Sequence, residues 1–350
     1  MFKRWNLQNA DRKTVYMISL ISIILLVVVV VVIALVAQDL EKRSQTLGAY
    51  GDLSQRFGEV PAVEYKGGFY RPYEKLTTIL VIGVDRYSSQ TNLGVTYRNG
   101  GQADYLELLV INEETQTITP ILIDRDTMTK ITILGVLGDE TGTRVVQICL
   151  SHGFGDGKEQ SCLLTVRAVS WLLNDIDIDY YISMDMDGIP ALNDVLGGVT
   201  VTLEDDFSAL DPAMTLGTTL TLQGMQAEYF VRGRMYIGAG TNQARMDRQQ
   251  VFMDALGGKL SQRLGESENA AFINGLLDVL DPYLLTDMSR GRMINEAWNT
   301  RDFVQLDPLR LDGEYVNGAY GFKEFHADED AISDLMMQVF YHPVEPETQS

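Results

Sequence analysis

The stretch Thr77-Thr78-Ile79-Leu80-Val81-Ile82-Gly83-Val84-Asp85 decides the fold of this chain. It is a continuous apolar run that ends at a glycine and a carboxylate, which is the pattern of a strand buried on both faces. Two more strand candidates follow, Tyr105 to Asn112 and Thr117 to Ile123. The polar residues 113–116 between them are typical of a short hairpin connection. A sheet is therefore predicted to begin at Thr77.

Helical and strand-like segments alternate after this hairpin. Apolar residues recur near helical spacing from Gln160 to Asn174, and Tyr180 to Met184 is the next strand candidate. Asp187 to Leu196 is predicted as a short helix that ends at Gly197-Gly198, and Val199 to Leu203 as another strand. This alternation predicts an α/β fold in which a mixed central sheet is sandwiched by helices.

The rest of the chain completes the predicted organisation. Residues 223–231 and 242–264 are predicted helices, and leucine spacing over 268–298 predicts further helices before a mixed segment at 304–341. We predict a polar stalk over residues 38–75, with some local helix at 40–57. A main domain would span residues 76–265. A C-terminal annex over 266–350 would pack on that domain.

An apolar run from Val15 to Ala37 precedes these segments. Its length of about 23 residues is enough to cross the hydrocarbon core of a bilayer as a helix. Four basic residues come before it, namely Lys3, Arg4, Arg12 and Lys13. The positive-inside rule then places residues 1–14 in the cytoplasm and everything after Gln38 outside the cell. A cleaved signal peptide is the alternative, but the run is too long and residues 35–38 make a poor cleavage site.

Composition limits the classes of partner and chemistry. The formal net charge is −20, which argues against nucleic acid as a ligand because no broad basic face is available. The three histidines are too scattered for a zinc site, and no Gly-x-Ser-x-Gly motif occurs. Cys149 and Cys162 could form one disulfide bridge or stay as two isolated buried thiols.

Arginines are concentrated in three short clusters at the predicted ends of elements. The clusters are Asp124-Arg125-Asp126-Thr127, Val231-Arg232-Gly233-Arg234 and Arg245-Met246-Asp247-Arg248-Gln249-Gln250. In so acidic a protein they indicate a built anion site, and the guanidinium fork matches phosphate geometry. A divalent cation would assist such a site.

The third cluster opens a predicted helix. Arg245, Arg248 and Gln249 lie at i, i+3 and i+4 on one face, which Phe252 and Leu256 continue as apolar residues. This pattern is typical of a core helix whose first turn projects into a cleft. The alternative is a surface helix whose arginines pair with its own Asp247 and Asp254. Arg232 and Arg234 could likewise form structural salt bridges.

Three aspartates, Asp85, Asp104 and Asp126, each follow or end a strand-like run. Carboxylates at strand ends can converge on a metal ion. A lone aspartate in such a position is more often a turn or helix cap. Both interpretations stay open from the residues alone.

In order along the chain, these segments resemble the LytR-CpsA-Psr family of Gram-positive envelope proteins. The family's Gly-x-Asp corresponds to Gly83-Val84-Asp85, its Ser-Asp-Thr to Ala103-Asp104-Tyr105 and its Pro-Arg-Asp to Asp124-Arg125-Asp126. Its Val-Arg-x-Arg and Arg-x-x-Arg-Gln correspond to residues 231–234 and 245–249. The resemblance covers residues 76–260 and identifies 76–265 as a catalytic domain of that type.

The resemblance implies a phosphotransferase that moves an anionic glycopolymer from undecaprenyl pyrophosphate to a hydroxyl of peptidoglycan. It implies Mg²⁺ (or Mn²⁺) held by Asp85 and Asp104. The side chains implied to bind the pyrophosphate are Arg125, Arg232, Arg234, Arg245 and Gln249. Arg125, Asp126 and Asp104 would be catalytic, with the general base open between Asp104 and Asp126. The enzyme would be attached to the cell membrane by a single helix, with its main domain outside.

The chain departs from the family pattern at five positions near the site. These are Gln102, Ala103, Tyr105, Asp124 and the Cys149 of Gln147-Ile148-Cys149. They bear on the polymer and the acceptor rather than on the reaction class. A polyprenyl pyrophosphate hydrolase is an alternative with the same chemistry, and a non-catalytic binding or regulatory protein is another. Direct gene regulation is disfavoured because few residues precede Val15.

Overall fold

A computed structural model describes residues 62–85, 101–135, 137–233, 237–238, 240–266, 270–319 and 321–345. The described residues fall in two units, one of residues up to Arg71 together with those from Val344 onward, and the other of Pro72–Pro343. No helix in the described part of the chain is both long and apolar enough to cross a membrane. The predicted membrane helix at residues 15–37, and the local helix at 40–57, lie outside the described residues.

Two short strands begin the described chain, β1 (Val63–Tyr65) and β2 (Gly68–Pro72), and they pair antiparallel. This hairpin lies within residues 38–75, so the C-terminal part of the predicted stalk is not irregular. The signal was weak because β1 has only three residues. Lys66 and Gly67 form its turn with positive φ angles of 46° and 81°.

The N-terminal half of the larger unit supplies the first strands of the central sheet. They are β3 (Leu76–Asp85), β4 (Gln102–Asn112) and β5 (Thr117–Leu122), joined as antiparallel neighbours. A separate two-stranded hairpin follows, β6 (Met128–Leu134) and β7 (Glu140–Gln147). Next come α1 (Leu150–Gly153), α2 (Glu159–Leu172) and β8 (Tyr180–Asp185), and β8 lies parallel to β3.

The middle of the chain is mainly helical. A single 3₁₀ turn (Met186–Gly188) leads into α3 (Ile189–Val195), and β9 (Thr200–Thr202) pairs with β10 (Thr219–Thr221). Two longer helices follow, α4 (Met225–Arg232) and α5 (Asn242–Glu266). Each predicted strand and helix from residue 77 to 264 is confirmed within a few residues.

The C-terminal part begins with α6 (Ala270–Leu280), a 3₁₀ turn (Asp281–Tyr283), β11 (Leu284–Thr286) and α7 (Arg290–Asn299). Short strands follow, β12 (Val304–Gln305), β13 (Leu309–Arg310), β14 (Gly313–Asn317) and β15 (Lys323–Ala327). Helix α8 (Glu329–Phe340) and β16 (Tyr341–Val344) end the described chain.

These late strands complete the central sheet. Its seven strands run in the order β11-β8-β3-β4-β5-β12, with β13 also paired to β5. β11 is therefore one edge, and β12 and β13, parallel to β5, form the other. Residues 266–350, predicted as an annex packed on the main domain, thus supply the strands at both edges of the sheet.

Helices cover both faces of the sheet, as predicted. On one face, Leu80, Ile82 and Leu108 pack in a core with α2 and α8. On the other face, a second core is formed with α3, α4 and α5, and a smaller one lies near α7. The period-two alternation along β3 and β4 sends successive side chains to opposite faces. The fold is thus a mixed α/β sandwich.

Candidate active site

Asp104 is aimed by an irregularity in the central sheet. Gly83 of β3 pairs with Tyr105 of β4, and the next residue, Val84, pairs with Ala103. Asp104 is therefore the extra residue of a β-bulge. Bulges re-aim side chains and are frequent beside active sites. The bulge lets this carboxylate, only 8% exposed, leave the regular alternation of β4 and face the arginines.

Arg125 lies on a tight turn after β5. The carboxylate of Asp124 accepts a hydrogen bond from the backbone N–H of Asp126 at 2.7 Å. The backbone carbonyl of Asp124 accepts hydrogen bonds from the N–H and the hydroxyl of Thr127. This is the local pattern of an aspartate that closes a turn. The turn directs the Arg125 guanidinium to Oδ1 of Asp104, with which it forms an ion pair.

The other contacts of Arg125 include two of the positions that depart from the family pattern. Its Nη2 donates to Gln102 and to Sγ of Cys149, the latter at 3.4 Å, and its Nε lies 3.5 Å from Asp126. Burial opposes the charge, but Cys149, Asp104 and Asp126 raise the pKa of Arg125 above its ordinary value. Burial raises the pKa of the Cys149 thiol to about 11, so this group stays protonated.

Arg245 approaches Asp104 from the opposite side. It lies in the first turn of α5, and its Nη1 is 3.2 Å from Oδ2 of Asp104. Thr241 caps this helix end, because its hydroxyl accepts the N–H of Ala244 at 3.2 Å. The two oxygens of Asp104 thus hold two guanidinium groups, one from a turn and one from a helix. Arg245 is only 5% exposed.

Gln249 lies one helical turn after Arg245. The side chain is 2% exposed, yet neither Oε1 nor Nε2 has a hydrogen-bond partner among the described residues. A buried amide left in this way costs about 1–3 kcal/mol unless something binds it. Gln249 lines a small cleft, whose walls are Asp104, Tyr105, Leu106, Leu122, Ile123, Arg125, Met246 and Gln249. Gln249 therefore brings an amide acceptor and donor, without partners in the described part of the chain, to the wall of a cleft that Arg125 also lines.

Arg232 belongs to a second, more open cluster. At the last residue of α4, it donates to Asp85 and to Glu228 at 2.6 Å each, and Asp187 lies 3.8 Å away. Burial opposes the charge, but these contacts with Asp85 and Glu228 raise the pKa of Arg232. Its side chain is 30% exposed. Arg234 lies outside the described residues.

The predicted polar-to-apolar face of α5 is confirmed. Arg245, Arg248 and Gln249 are buried and are followed by buried Phe252 and Leu256. The alternative of a surface helix paired with its own aspartates is wrong, since the ion-pair partners lie on other elements. Arg248 pairs with Asp205 at 2.8 Å and donates to the carbonyl of Gly233, so it anchors the loop after α4.

A divalent cation is implied for Asp85 and Asp104, and the donor chemistry fits. Both are carboxylates at the same end of adjacent strands, and Mg²⁺ is commonly held by one or two carboxylates together with substrate phosphates. Among the described residues there is no group of three or more His, Cys, Asp or Glu side chains able to hold a metal by themselves. Phosphate oxygens would have to complete the coordination.

Three features of the region were missed or left open by the sequence. Glu107, which interrupts the apolar run of β4, is 4% exposed and accepts the Tyr105 hydroxyl at 2.9 Å. Tyr315 of β14 donates to Asp124 from 191 residues away, which no local pattern signals. Cys149 and Cys162 are both buried and form no disulfide, so the bridge was the wrong alternative.

Comparisons with known proteins show what the chain as a whole is similar to. TagU of Bacillus subtilis (strain 168), named polyisoprenyl-teichoic acid–peptidoglycan teichoic acid transferase, is 27% identical over 255 residues, or 71% of this chain and 75% of TagU. Protein gbs0355 of Streptococcus agalactiae aligns with a TM-score of 0.61 and 22% identity, over 76% of this chain and 86% of that protein.

A structure titled "TagT bound to LI-WTA" aligns with a TM-score of 0.57 and 20% identity, over 79% of this chain and 92% of TagT. At this level of identity the two structures show a shared fold. The model of the LytR_cpsA_psr family matches residues 52–338. The chain therefore belongs to the LytR_cpsA_psr family.

Proposed function

We propose that this protein is a membrane-anchored, extracytoplasmic phosphotransferase that moves an anionic glycopolymer from undecaprenyl pyrophosphate to a hydroxyl of peptidoglycan. The names of the relatives support the transfer of a polyisoprenyl-linked polymer to peptidoglycan. The apolar run Val15–Ala37, with basic residues before it, supports the anchor and the outside location.

The observation that carries the proposal is the set of partly buried Arg125 and buried Arg245 and Gln249 around Asp104. Phosphoryl transfer demands little covalent chemistry from the protein, and depends on positioning and on neutralising charge. Asp104 holds both guanidinium groups before the substrate arrives, so little reorganisation is needed when the pyrophosphate binds. The amide of Gln249 would then gain the partner it lacks.

Asp85 and Asp104 would hold the divalent cation. Bound there, Mg²⁺ would offset the negative charge of the pyrophosphate and of the leaving phosphate. Arg232 pairs with Asp85. When Asp85 also holds the cation, Arg232 would turn toward the same phosphate group.

The acceptor hydroxyl oxygen would attack the phosphorus that carries the glycopolymer. The bond from that phosphorus to the bridging oxygen would break, releasing polyprenyl phosphate and leaving a phosphodiester on the peptidoglycan. A carboxylate must accept the hydroxyl proton. We favour Asp126 over Asp104, because Asp104 pairs with two guanidinium groups and would also hold the cation, whereas Asp126 lies 3.5 Å from Arg125.

The test uses the full-length protein in membranes with a polyprenyl-pyrophosphate-linked glycopolymer and peptidoglycan. Covalent polymer–peptidoglycan product that requires a divalent cation is the expected result. Arg125→Ala should lose the product. Arg144→Ala is the matched control, because Arg144 is an exposed arginine on β7.

Omitting peptidoglycan separates the alternatives. Polyprenyl phosphate released at an undiminished rate without acceptor would identify a hydrolase and contradict the transferase. Absence of both products, in protein that binds the donor, would favour a binding or regulatory protein.

A further inference from the structure

We propose that the hairpin β14–β15 is a clamp on the turn that carries Arg125, and that Tyr315 is a positioning residue for this arginine. The inference rests on the proposed function, since it assumes that Arg125 binds the pyrophosphate. It adds a part of the chain that lies about 190 residues away from the turn.

Three contacts join the hairpin to the turn. The Tyr315 hydroxyl donates to Oδ2 of Asp124, and the backbone N–H of Phe325 donates to the carbonyl of Asp126 at 2.9 Å. Gln147 connects the two from the side, because its Nε2 donates to the carbonyl of Lys323 at 2.6 Å and to Oδ1 of Asp126 at 3.3 Å. The residues on both sides of Arg125 are thus held by the hairpin or through it.

Asp124 transmits the contact to the arginine. One of its carboxylate oxygens closes the turn onto the N–H of Asp126, and the other accepts the Tyr315 hydroxyl. Asp124 is buried, so its carboxylate depends on these donors. Losing the tyrosine hydroxyl would remove one of the donors that hold the carboxylate, and the turn that aims Arg125 at Asp104 would loosen.

The residue type at position 124 explains why an outside clamp is needed. A proline in such a turn fixes φ by its ring, whereas an aspartate leaves φ free and must be held by hydrogen bonds. Tyr315 supplies one of them. Burial and the Asp124 carboxylate raise the Tyr315 pKa, so its hydroxyl keeps the proton that it donates.

The two strands of the hairpin differ in burial, and β14 lies at the surface. All five residues of β14 are exposed, and β14 pairs only with β15 among the described strands. The ring of Tyr315 packs on Phe325, with centroids 4.9 Å apart. Phe325 of β15 is buried in the main core, so one strand of the hairpin is fixed to the fold while Tyr315 of the other strand reaches the turn.

The experiment measures transfer by the full-length protein in membranes with the Tyr315→Phe variant. Phenylalanine keeps the ring packing and removes the hydroxyl. We expect kcat to fall about tenfold, the loss expected for one hydrogen bond to a charged group, with the donor KM within twofold. Phe322→Ser, at the exposed tip of the same hairpin, is the matched control and should match the wild type.

A second background shows whether Tyr315 acts through Asp124. In an Asp124→Asn protein, which keeps the turn-closing oxygen but is a weaker acceptor, Tyr315→Phe should cost threefold or less. In Asp124→Ala it should cost nothing further. An equal loss in all backgrounds would mean that the hydroxyl acts elsewhere, and would overturn the clamp. Wild-type kcat in Tyr315→Phe would overturn it directly.

Failure of the clamp is distinguishable from failure of the proposed function. Full activity of Arg125→Ala would remove the anion site itself. An inactive Arg125→Ala beside a fully active Tyr315→Phe would remove only the clamp. Exchange of the backbone amides of Asp126 and Thr127 gives a readout independent of transfer, and it should be faster in Tyr315→Phe than in Phe322→Ser.

Discussion

Two arginine clusters in this molecule solve opposite electrostatic problems. Around Asp104, buried Arg245 and partly buried Arg125 share one carboxylate, with Asp126 beside Arg125. Around Arg232, one half-buried arginine meets three carboxylates, Asp85, Glu228 and Asp187. The guanidinium groups of the first cluster are held in place, and the formal charge of that cluster is close to zero. The second cluster has an excess of negative charge.

The difference indicates that the two clusters suit ligands of opposite charge. Fixed guanidinium groups beside an unsatisfied amide favour an anion, which gains from both without reorganisation. Excess carboxylates favour a hard cation, which would relieve their mutual repulsion. The pyrophosphate would therefore be recognised mainly from the Asp104 side, and the metal mainly from the Asp85 side.

The largest expected effect follows from the fixed cluster. Arg125→Ala and, separately, Arg245→Ala should lower transfer by a hundredfold or more, because each removes a preorganised charge at the developing negative charge. The measurement is the rate of covalent product formation at saturating metal. Arg144→Ala is again the control, and near-wild-type turnover in both mutants would contradict the division of labour.

The buried position of Arg245 adds a cost that the sequence did not indicate. Element ends are usually tolerant of a lost charge, but Arg245 is one of two partners of a buried carboxylate. Its removal should also lower the free energy of unfolding, by about 1–3 kcal/mol. The loss of rate should therefore be compared with Arg248→Ala, which also removes a buried, ion-paired arginine of α5 but leaves both arginine partners of Asp104 in place.

The second prediction concerns the metal. Asp85→Asn should raise the Mg²⁺ concentration for half-maximal activity by ten- to a hundredfold, since it removes the charge of a hard oxygen ligand. Activity should recover at high Mg²⁺. The check is a metal titration, with Asp206→Asn as control because that aspartate lies outside both clusters and is not an ion-pair partner of Arg232. Unchanged activity in excess chelator would contradict a metal requirement altogether.

A third prediction is that a different substitution lowers the Mg²⁺ requirement instead of raising it. Arg232→Ala should slow transfer by about tenfold, because one of the cationic partners of the substrate is lost. It should also lower the Mg²⁺ requirement, because Asp85, Glu228 and Asp187 would lose their shared cation. A metal requirement that rises in this variant would mean that Arg232 does not compete with the metal.

Local patterns predicted most of the central elements and the arginine clusters. The apolar run of β3, the hairpin of β4 and β5, and the buried face of α5 all follow from periodicity. The β-bulge at Asp104 does not, because it depends on how two strands align rather than on either sequence. Neither does the contact of Tyr315 with Asp124, which joins residues brought together only by the complete fold.

The edges of the sheet show the same limit. β12 and β13 have two residues each and take their register entirely from β5. Such short strands carry no periodicity that a sequence could reveal. Glu107 was visible as a charged residue within an apolar strand, but its buried state depends on α5 and the elements around it.

The last prediction contrasts Glu107 with Asp104. Asp104 is paired with two arginines, whereas Glu107 accepts a hydrogen bond from the Tyr105 hydroxyl. Burial raises the pKa of Glu107 to about 7. The Tyr105 hydrogen bond opposes this shift, and Asp254 adds to it. In the unfolded chain the pKa is about 4.5. Folded protein therefore binds the extra proton between these values. The stability that Glu107 contributes is present below about pH 4.5 and is lost as the pH rises through about 7.

Glu107→Gln removes this dependence and keeps an acceptor for Tyr105. Relative to the wild type, the variant should gain about 2 kcal/mol of unfolding free energy between pH 5 and pH 8, from the linkage of pKa to stability. Urea unfolding of the detergent-solubilised protein at both pH values measures it, with Glu113→Gln on the exposed connection as control. Parallel pH profiles for wild type and Glu107→Gln would mean that Glu107 ionises normally. The contrast between Asp104, whose charge is paired with two arginines, and Glu107, whose pKa is raised by burial, would then be lost.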